Sequence, residues 1–183
     1  NFPRTYIDPN RNLADIDQAL LDAPWPGPVE VSQKTEQGIG LVWRKALGGA
    51  DIYDRKLSVT EVQARIDSYH TPYHAAVAEA VEAAYAANGG VWHINCHSMP
   101  SVLSRPPYDG LRTPEFCLGD LDGTTCDPAF RDLIADSLRR RGYQVAVNNP
   151  YKGVEIVHRL GRPAENRHSI QIEINRSLYM DEV

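Results

Sequence analysis

The stretch VWHINCHSMPS, residues 91–101, decides the fold, because a run of strand-forming residues leads directly into polar ones. Alternate residues of a β-strand lie on opposite faces. We therefore expect His93, Asn95 and His97 on one face, with the mostly apolar even-numbered residues on the other. Ligands of open α/β sheets bind just beyond the carboxyl ends of strands. His97 lies near such an end and is the first candidate for a metal-binding or proton-transferring residue.

A second strand is predicted at residues 169–175, SIQIEIN, where the alternation is clearest. Three isoleucines occupy one face, and Glu173 lies on the other with Gln171 and Asn175. A carboxylate on an otherwise apolar strand can serve as a general base. It can equally lie on an exposed strand face, and the sequence leaves both interpretations open.

Helical patterns alternate with the strands. The sequence SVTE at 58–61 is typical of a helix N-terminus, with the serine as cap and the glutamate reaching back to it. That helix should run to the glycine pair at 89–90, kinked or divided at Pro72. Another is predicted over 127–141, beginning at Asp-Pro and ending before a glycine. Shorter strands are predicted at 5–7, 40–44, 143–147 and 154–157. The alternation predicts an α/β fold with a mixed, mostly parallel sheet flanked by helices.

Composition narrows the class of protein. A chain of 183 residues suits one domain, which we expect to span 1–183. The formal net charge of −5 argues against a nucleic-acid partner, and no apolar run is long enough to cross a membrane. Three cysteines without a CxxC spacing favour a reducing compartment and hence a cytoplasmic protein. Nothing in the sequence predicts the oligomeric state.

Other residues could carry chemistry or only stabilise the fold. His70 and His74 have the spacing of a metal-binding pair on a helix, although the proline between them weakens this interpretation. Basic side chains such as Arg11 could bind an anion through charge-assisted hydrogen bonds, or could be surface charges. The aspartates of LGDLDGTT, residues 118–125, are interpreted as turn formers. The long loop at 99–126 is expected to border the functional site.

Six short motifs together resemble those of the N-formylglutamate amidohydrolase family, and they occur in the family's order. They are DPNR (8–11), NCHS (95–98), LGDLDGTTC (118–126), YKG (151–153), GRPAENRHSIQIEI (161–174) and LYMDE (178–182). No single motif is specific, but the conjunction is, and it covers nearly the whole chain. The family is similar to zinc carboxypeptidases and aspartoacylase. The resemblance therefore implies a zinc-carboxypeptidase-like fold, with a mixed sheet between helices.

The resemblance also implies roles for individual residues. His97 matches a zinc-binding histidine, and Glu173 matches a glutamate that acts as general base. Asn10 and Arg11 match a pair that binds the substrate carboxylate. Two further positions, Lys152 and His168, match polar residues of the family and are implied to contact the substrate. The family has an aspartate where this chain has Asn95.

The implied reaction is zinc-dependent hydrolysis of N-formyl-L-glutamate, a small anionic N-acyl amino acid, to formate and L-glutamate, with a place in histidine degradation. A catalytic zinc usually has three protein ligands, and related enzymes draw two from an upstream segment. We therefore expect the chain to be the carboxyl-terminal portion of a longer enzyme. Two alternatives stay open: an inactive or truncated relative that binds an acidic metabolite, and a deacylase for another N-acyl acidic amino acid.

Overall fold

The computed structural model describes residues 2–46, 48–103 and 110–182. Its helices are α1 (Gln33–Glu36), α2 (Val59–Arg65), α3 (Thr71–Asn88), α4 (Pro128–Arg139) and α5 (Glu155–Leu160). Its strands are β1 (Val91–Met99), β2 (Phe116–Gly119), β3 (Val145–Val147) and β4 (Arg167–Asn175). The chain divides into two compact units, Asn1–Ala80 and Val81–Val183. The prediction of one domain over 1–183 stays a prediction. No described helix is both long and apolar enough to span a membrane.

The second unit is built on a four-stranded sheet with the order β1-β4-β2-β3. The β1–β4 and β2–β3 pairings are parallel, and the β2–β4 pairing is antiparallel. Helix α4 packs on the sheet, and α5 contacts β4 and β1. The prediction of a mixed α/β fold with a sheet flanked by helices is confirmed. The zinc-carboxypeptidase-like topology stays a prediction.

The two faces of this sheet differ in chemistry. One face buries Leu118 and Ile170, which pack against Phe130 and Ala135 of α4. The opposite side, called the polar face here, carries His93, Asn95 and His97 of β1 with Gln171 and Glu173 of β4. Burial along β1 alternates along the whole strand, as the sequence predicts. The alternation of β4 is confirmed as well, since its three isoleucines fall on the apolar side.

The helix predicted from residue 58 forms, and its interruption falls at the predicted place. Ser58 accepts a hydrogen bond from the Glu61 amide at 3.1 Å. The Glu61 carboxylate does not complete the reciprocal cap, because it pairs with Arg55 and Arg65. Directly before Pro72 the helix widens into one π-turn, residues 66–70. Proline has no N–H to donate to the carbonyl four residues earlier, which favours this local rearrangement.

The first unit has its own core but none of the predicted strands. Ile7, Leu41, Leu57 and Val62 are among its most buried residues. The strand predicted at 5–7 is wrong, because residues 4–6 form a turn, and 40–44 contributes only to an isolated bridge. Main-chain groups there bond to loops instead, as in the 2.8 Å bond from the Asp8 amide to the Leu41 carbonyl. A short extended segment without a partner strand has no ladder to join.

Two predictions in the second unit are also corrected. The strand predicted at 154–157 is wrong, because helix α5 begins there and buries Ile156 and Val157. A run of β-branched residues favours a strand locally, but packing of those side chains overrides the preference. The segment 99–126 is not loop throughout, because it contains β2. Its residues 104–109 lie outside the described residues.

Candidate active site

The two residues implied as metal ligand and general base lie side by side. His97 of β1 is the register partner of Glu173 of β4. Neighbouring strands lie about 4.8 Å apart, and registered residues of parallel strands point to the same face. His97 is half-buried, and Glu173 is 7% exposed. His97 and Glu173 are therefore brought together by the pairing of two strands that lie more than 70 residues apart in the sequence.

A buried amide orients the Glu173 carboxylate. Gln171 Nε2 donates to Glu173 Oε1 at 2.8 Å. One register step from the His97–Glu173 pair, Asn95 lies opposite Gln171. The donor Asn95 Nδ2 and the acceptor Gln171 Oε1 are both buried and have no partner among the described residues. Buried polar groups are usually paired, and these two atoms lie one register step from the His97–Glu173 pair.

The YKG motif runs along the same face. Cys117 is in register with Glu173, and its Sγ lies 3.2 and 3.3 Å from the carbonyl oxygens of Asn149 and Tyr151, which share its one S–H. Burial, together with the nearby Glu173 carboxylate, raises the pKa of Cys117. At Gly119 a Cβ would lie 2.6 Å from the Lys152 carbonyl carbon, so this close approach requires glycine. The backbone at 149–153 is therefore placed over the polar face.

The side chain of Lys152 has a partner of its own. Its Nζ lies 2.7 Å from Asp122 Oδ2, and both side chains are more than half exposed. The structure brings the Lys152 backbone to the polar face, whereas the amino group pairs on the surface. The implied contact between Lys152 and the substrate stays a prediction.

His168 is not brought together with Glu173. It is the register partner of Trp92, on the face opposite Glu173, and the two rings stack with centroids 5.6 Å apart. Its Nδ1 accepts from the Asp127 amide at 3.1 Å, so Nε2 carries the hydrogen and donates to Asn166 Oδ1. The sequence contains this information, because residues 168 and 173 differ by an odd number on one strand.

His93 lies on the polar face but four residues before His97. Its Nδ1 is 2.8 Å from Ser169 Oγ. Burial lowers the pKa of His93, because desolvation disfavours the charged imidazolium. This histidine couples β1 to β4, and its burial favours the neutral form of the ring.

The LGDLDGTT loop is organised by one aspartate, as the turn-former interpretation predicts. Asp120 is fully buried, and its Oδ1 accepts from the Gly123 amide at 2.8 Å and from Asn148 Nδ2 at 2.6 Å. Its Oδ2 lies 3.2 Å from Arg131 Nη1. Burial, and next the charge of Asp120, raises the pKa of Cys126 to about 12. Sequence reasoning missed Asn148 and Arg131, whose partnership with Asp120 depends on the fold.

The DPNR motif forms a tight turn in the first unit. The Arg11 amide donates to the Asp8 carbonyl at 3.2 Å, and the Asn10 amide donates to Asp8 Oδ1 at 2.9 Å. Proline at the second position suits such a turn. The guanidinium of Arg11 is buried, with Nε donating to the Ile39 carbonyl and Nη1 to the Asn10 carbonyl. These bonds fix the orientation of Arg11, whose implied role in carboxylate binding stays a prediction.

His70 and His74 lie against this turn. His70 Nε2 is 3.1 Å from the Arg11 carbonyl, and His74 Nε2 is 2.8 Å from the Pro9 carbonyl. A carbonyl only accepts, so both Nε2 atoms carry hydrogen and donate to the turn. No group of three or more His, Cys, Asp or Glu side chains that could hold a metal ion is found among the described residues, these two histidines included. The two rings are 4.3 Å apart between centroids. Of the two interpretations open from the sequence, the contacts with the turn and the lack of a third ligand among the described residues favour a structural role.

The side chains of the described residues can be compared with those that bind zinc in proteins. His97 and Glu173 are zinc-compatible side chains. Among residues 2–46, 48–103 and 110–182, however, no group of three or more His, Cys, Asp or Glu side chains could hold a metal ion. The described residues therefore fit zinc only in part, and His97 stays a candidate ligand. Zinc binding by this protein stays a prediction.

Comparisons with known proteins agree on one family. The model of the N-formylglutamate amidohydrolase family matches residues 1–180. Two curated relatives are N-formylglutamate deformylases. The chain is 35% identical over 113 residues to that of Pseudomonas aeruginosa and 30% identical over 112 residues to that of Pseudomonas putida. Each match covers 61% of this chain and 42% or 41% of the relative.

A solved structure agrees with these matches. The N-formylglutamate amidohydrolase from Ralstonia eutropha JMP134 superposes with a TM-score of 0.90 and 53% sequence identity. The match covers 98% of this chain and 65% of that one. The chain thus spans about two fifths of the curated relatives and two thirds of the solved protein. On the match over residues 1–180, the chain belongs to the N-formylglutamate amidohydrolase family.

Proposed function

We propose that this chain is part of an enzyme that hydrolyses the linear amide of N-formyl-L-glutamate, giving formate and L-glutamate. The observation that carries the proposal is the registered pair of His97 and Glu173 on the polar face. Membership of the family and the names of the relatives support the substrate. Three free cysteines support a cytoplasmic location.

Glu173 is the proposed general base. It removes a proton from the attacking water and delivers it to the leaving amine, so that one carboxylate serves both halves of the reaction. The bond from Gln171 Nε2 fixes the Oε1 atom at 2.8 Å, which limits the rotation of the carboxylate. A group held in the reactive geometry does not need to be ordered during the reaction.

His97 is the proposed contribution of the described residues to a zinc site. When bound, zinc lowers the pKa of a water ligand to about 7 and polarises the scissile carbonyl. The remaining ligands are not assigned to residues of this chain. The proposed role of Glu173 as general base is supported by the position of its own carboxylate. The Glu173→Gln variant tests this role separately from zinc binding.

Recognition of the acidic substrate is the other half of the proposal. Asn10 and Arg11 bind a carboxylate, since an arginine fork matches the two oxygens. Lys152 and His168 are included as substrate-contact residues on the family motif alone. In the structure Lys152 pairs with Asp122 on the surface, and His168 accepts from the Asp127 amide.

The proposal is tested by formate release from N-formyl-L-glutamate, with N-acetyl-L-aspartate and N-succinyl-L-glutamate as competing substrates. Glu173→Gln should lower kcat about 100-fold or more, because loss of a general base typically costs a factor of 10² to 10⁴. Glu79→Gln makes the same change on the exposed surface of α3 and should leave kcat unaltered.

Three outcomes would contradict the proposal. Unchanged turnover in a folded Glu173→Gln variant would remove Glu173 from the reaction. Faster cleavage of N-acetyl-L-aspartate or N-succinyl-L-glutamate would support a hydrolase with a different substrate. No cleavage of any of the three compounds would favour an inactive relative.

A further inference from the structure

We infer that His70 and His74 are positioning residues, which hold the Asn10–Arg11 turn in the conformation that binds a substrate carboxylate. This inference rests on the proposed function for its account of Arg11. The two histidines do not touch the substrate in this assignment. They act through the main chain of the DPNR motif.

The turn is braced at every carbonyl from residue 8 to residue 11. The Asp8 carbonyl accepts from the Arg11 amide, and the Asn10 carbonyl accepts from Arg11 Nη1 at 2.9 Å. The other two carbonyls, of Pro9 and Arg11, accept from His74 and His70. An ordinary β-turn needs only the first of these bonds. Four bonds fix each peptide plane of the turn.

The donors are two buried rings on one helix face. His70 is 2% exposed and His74 is 7% exposed. The π-turn at 66–70 ends at His70, and residues four apart lie on the same side of a helix. A ring N–H is a directional donor that cannot form its bond from many positions. The pair therefore sets the position of Pro9 and Arg11 relative to the helix.

Fixing the turn also fixes the side chain that it presents. Arg11 Nε donates to the Ile39 carbonyl at 3.1 Å, and Nη1 lies 3.6 Å from Asp8 Oδ2. A guanidinium already held in place loses little entropy when it binds an anion. If the carbonyl bonds are lost, this benefit is lost, and the affinity for a carboxylate should fall before the chemical step is affected.

The test uses paired substitutions of each histidine. His70→Leu and His74→Leu keep an apolar side chain but remove the donor, whereas His70→Gln and His74→Gln keep an N–H near the position of Nε2. We expect the leucine variants to raise KM for N-formyl-L-glutamate about tenfold, with kcat changed less. The glutamine variants should restore most of the wild-type KM. His158→Leu, at an exposed position of α5, is the matched control.

Two further readouts do not depend on turnover. Calorimetric titration with L-glutamate should show about tenfold weaker binding in the leucine variants. Hydrogen exchange of the Asn10 and Arg11 amides should be faster in these variants and close to wild type in the glutamine variants. Absence of formate release from the wild-type protein would remove the proposed function, and these readouts would still decide the positioning role.

The inference would be overturned by any of three results. The first is a folded leucine variant with unchanged KM, L-glutamate affinity and exchange at the turn. The second is equal loss in the leucine and glutamine variants. The third is a fall in kcat with KM unaltered, which would place these histidines in the chemical step.

Discussion

Replacing Asp120 by alanine should lower the free energy of unfolding by about 1–3 kcal/mol, because it removes the acceptor of three part-buried donors. Asp120 is fully buried between β2 and α4. It accepts from the Gly123 amide and from Asn148 Nδ2, and it lies 3.2 Å from Arg131 Nη1.

The magnitude follows from what each donor loses. An unsatisfied neutral donor that is fully buried costs about 1–3 kcal/mol. Gly123 is exposed and Asn148 is half-buried, so each of these two donors loses only part of that amount. The guanidinium of Arg131 is 22% exposed and can regain part of its hydration. It therefore adds little to the sum. A value of about 2 kcal/mol is still a measurable share of the stability of a typical domain.

The assay is urea unfolding of the purified protein, followed by far-ultraviolet circular dichroism. The matched control is Asp122→Ala in the same loop, where Asp122 is 61% exposed and pairs with Lys152. An exposed ion pair contributes at most about 1 kcal/mol, so the control should unfold close to wild type. A loss below about 1 kcal/mol in Asp120→Ala, or equal losses in both variants, would refute the reasoning.

Three further predictions concern the same unit. Because burial lowers the pKa of His93 below 6.5 in the folded protein, the unfolded chain takes up the proton more readily. The free energy of unfolding should therefore be highest above pH 6.5 and fall below it, and His93→Gln should flatten this dependence in urea unfolding at pH 5.5 and 7.5. An unaltered slope would contradict the assignment. Alkylation of the native protein, followed by mass spectrometry, should label the exposed Cys96 quickly and the buried Cys117 and Cys126 slowly. Fast labelling that persists in Cys96→Ser would show that Cys117 or Cys126 is not buried. Gly119→Ala should cost about 1–3 kcal/mol in thermal or urea unfolding, because its Cβ would lie 2.6 Å from backbone atoms, and a neutral effect would mean that the 149–153 backbone does not approach β2 so closely.

Local periodicity was enough to predict the two strands of the candidate site. The period of two on a strand places Glu173 on the face of β4 that points away from the isoleucines. It likewise places His97 on the face of β1 that points away from Ile94. The register that brings Glu173 and His97 together is a non-local property. It depends on pairing of β1 with β4, and no turn joins these strands to set their alignment.

The errors also have physical causes. Residues 154–157 have strand-forming side chains, but their burial in the fold selects a helix. The spacing of His70 and His74 correctly predicts that the two rings are neighbours, but their partners lie 59 and 65 residues away in the sequence. Long-range partners of this kind decide whether a histidine pair binds a metal or braces a turn, and spacing alone does not contain them.

Formate release by His97→Ala, Glu173→Gln and the double variant is the most direct test of the central claim that these two residues act as one site. Residues that work as a unit show strongly non-additive losses. We predict that each single variant loses about 100-fold or more in kcat and that the double variant is little worse than the poorer single one. Independent losses that multiply in the double variant, or a folded single variant with wild-type turnover, would contradict the claim.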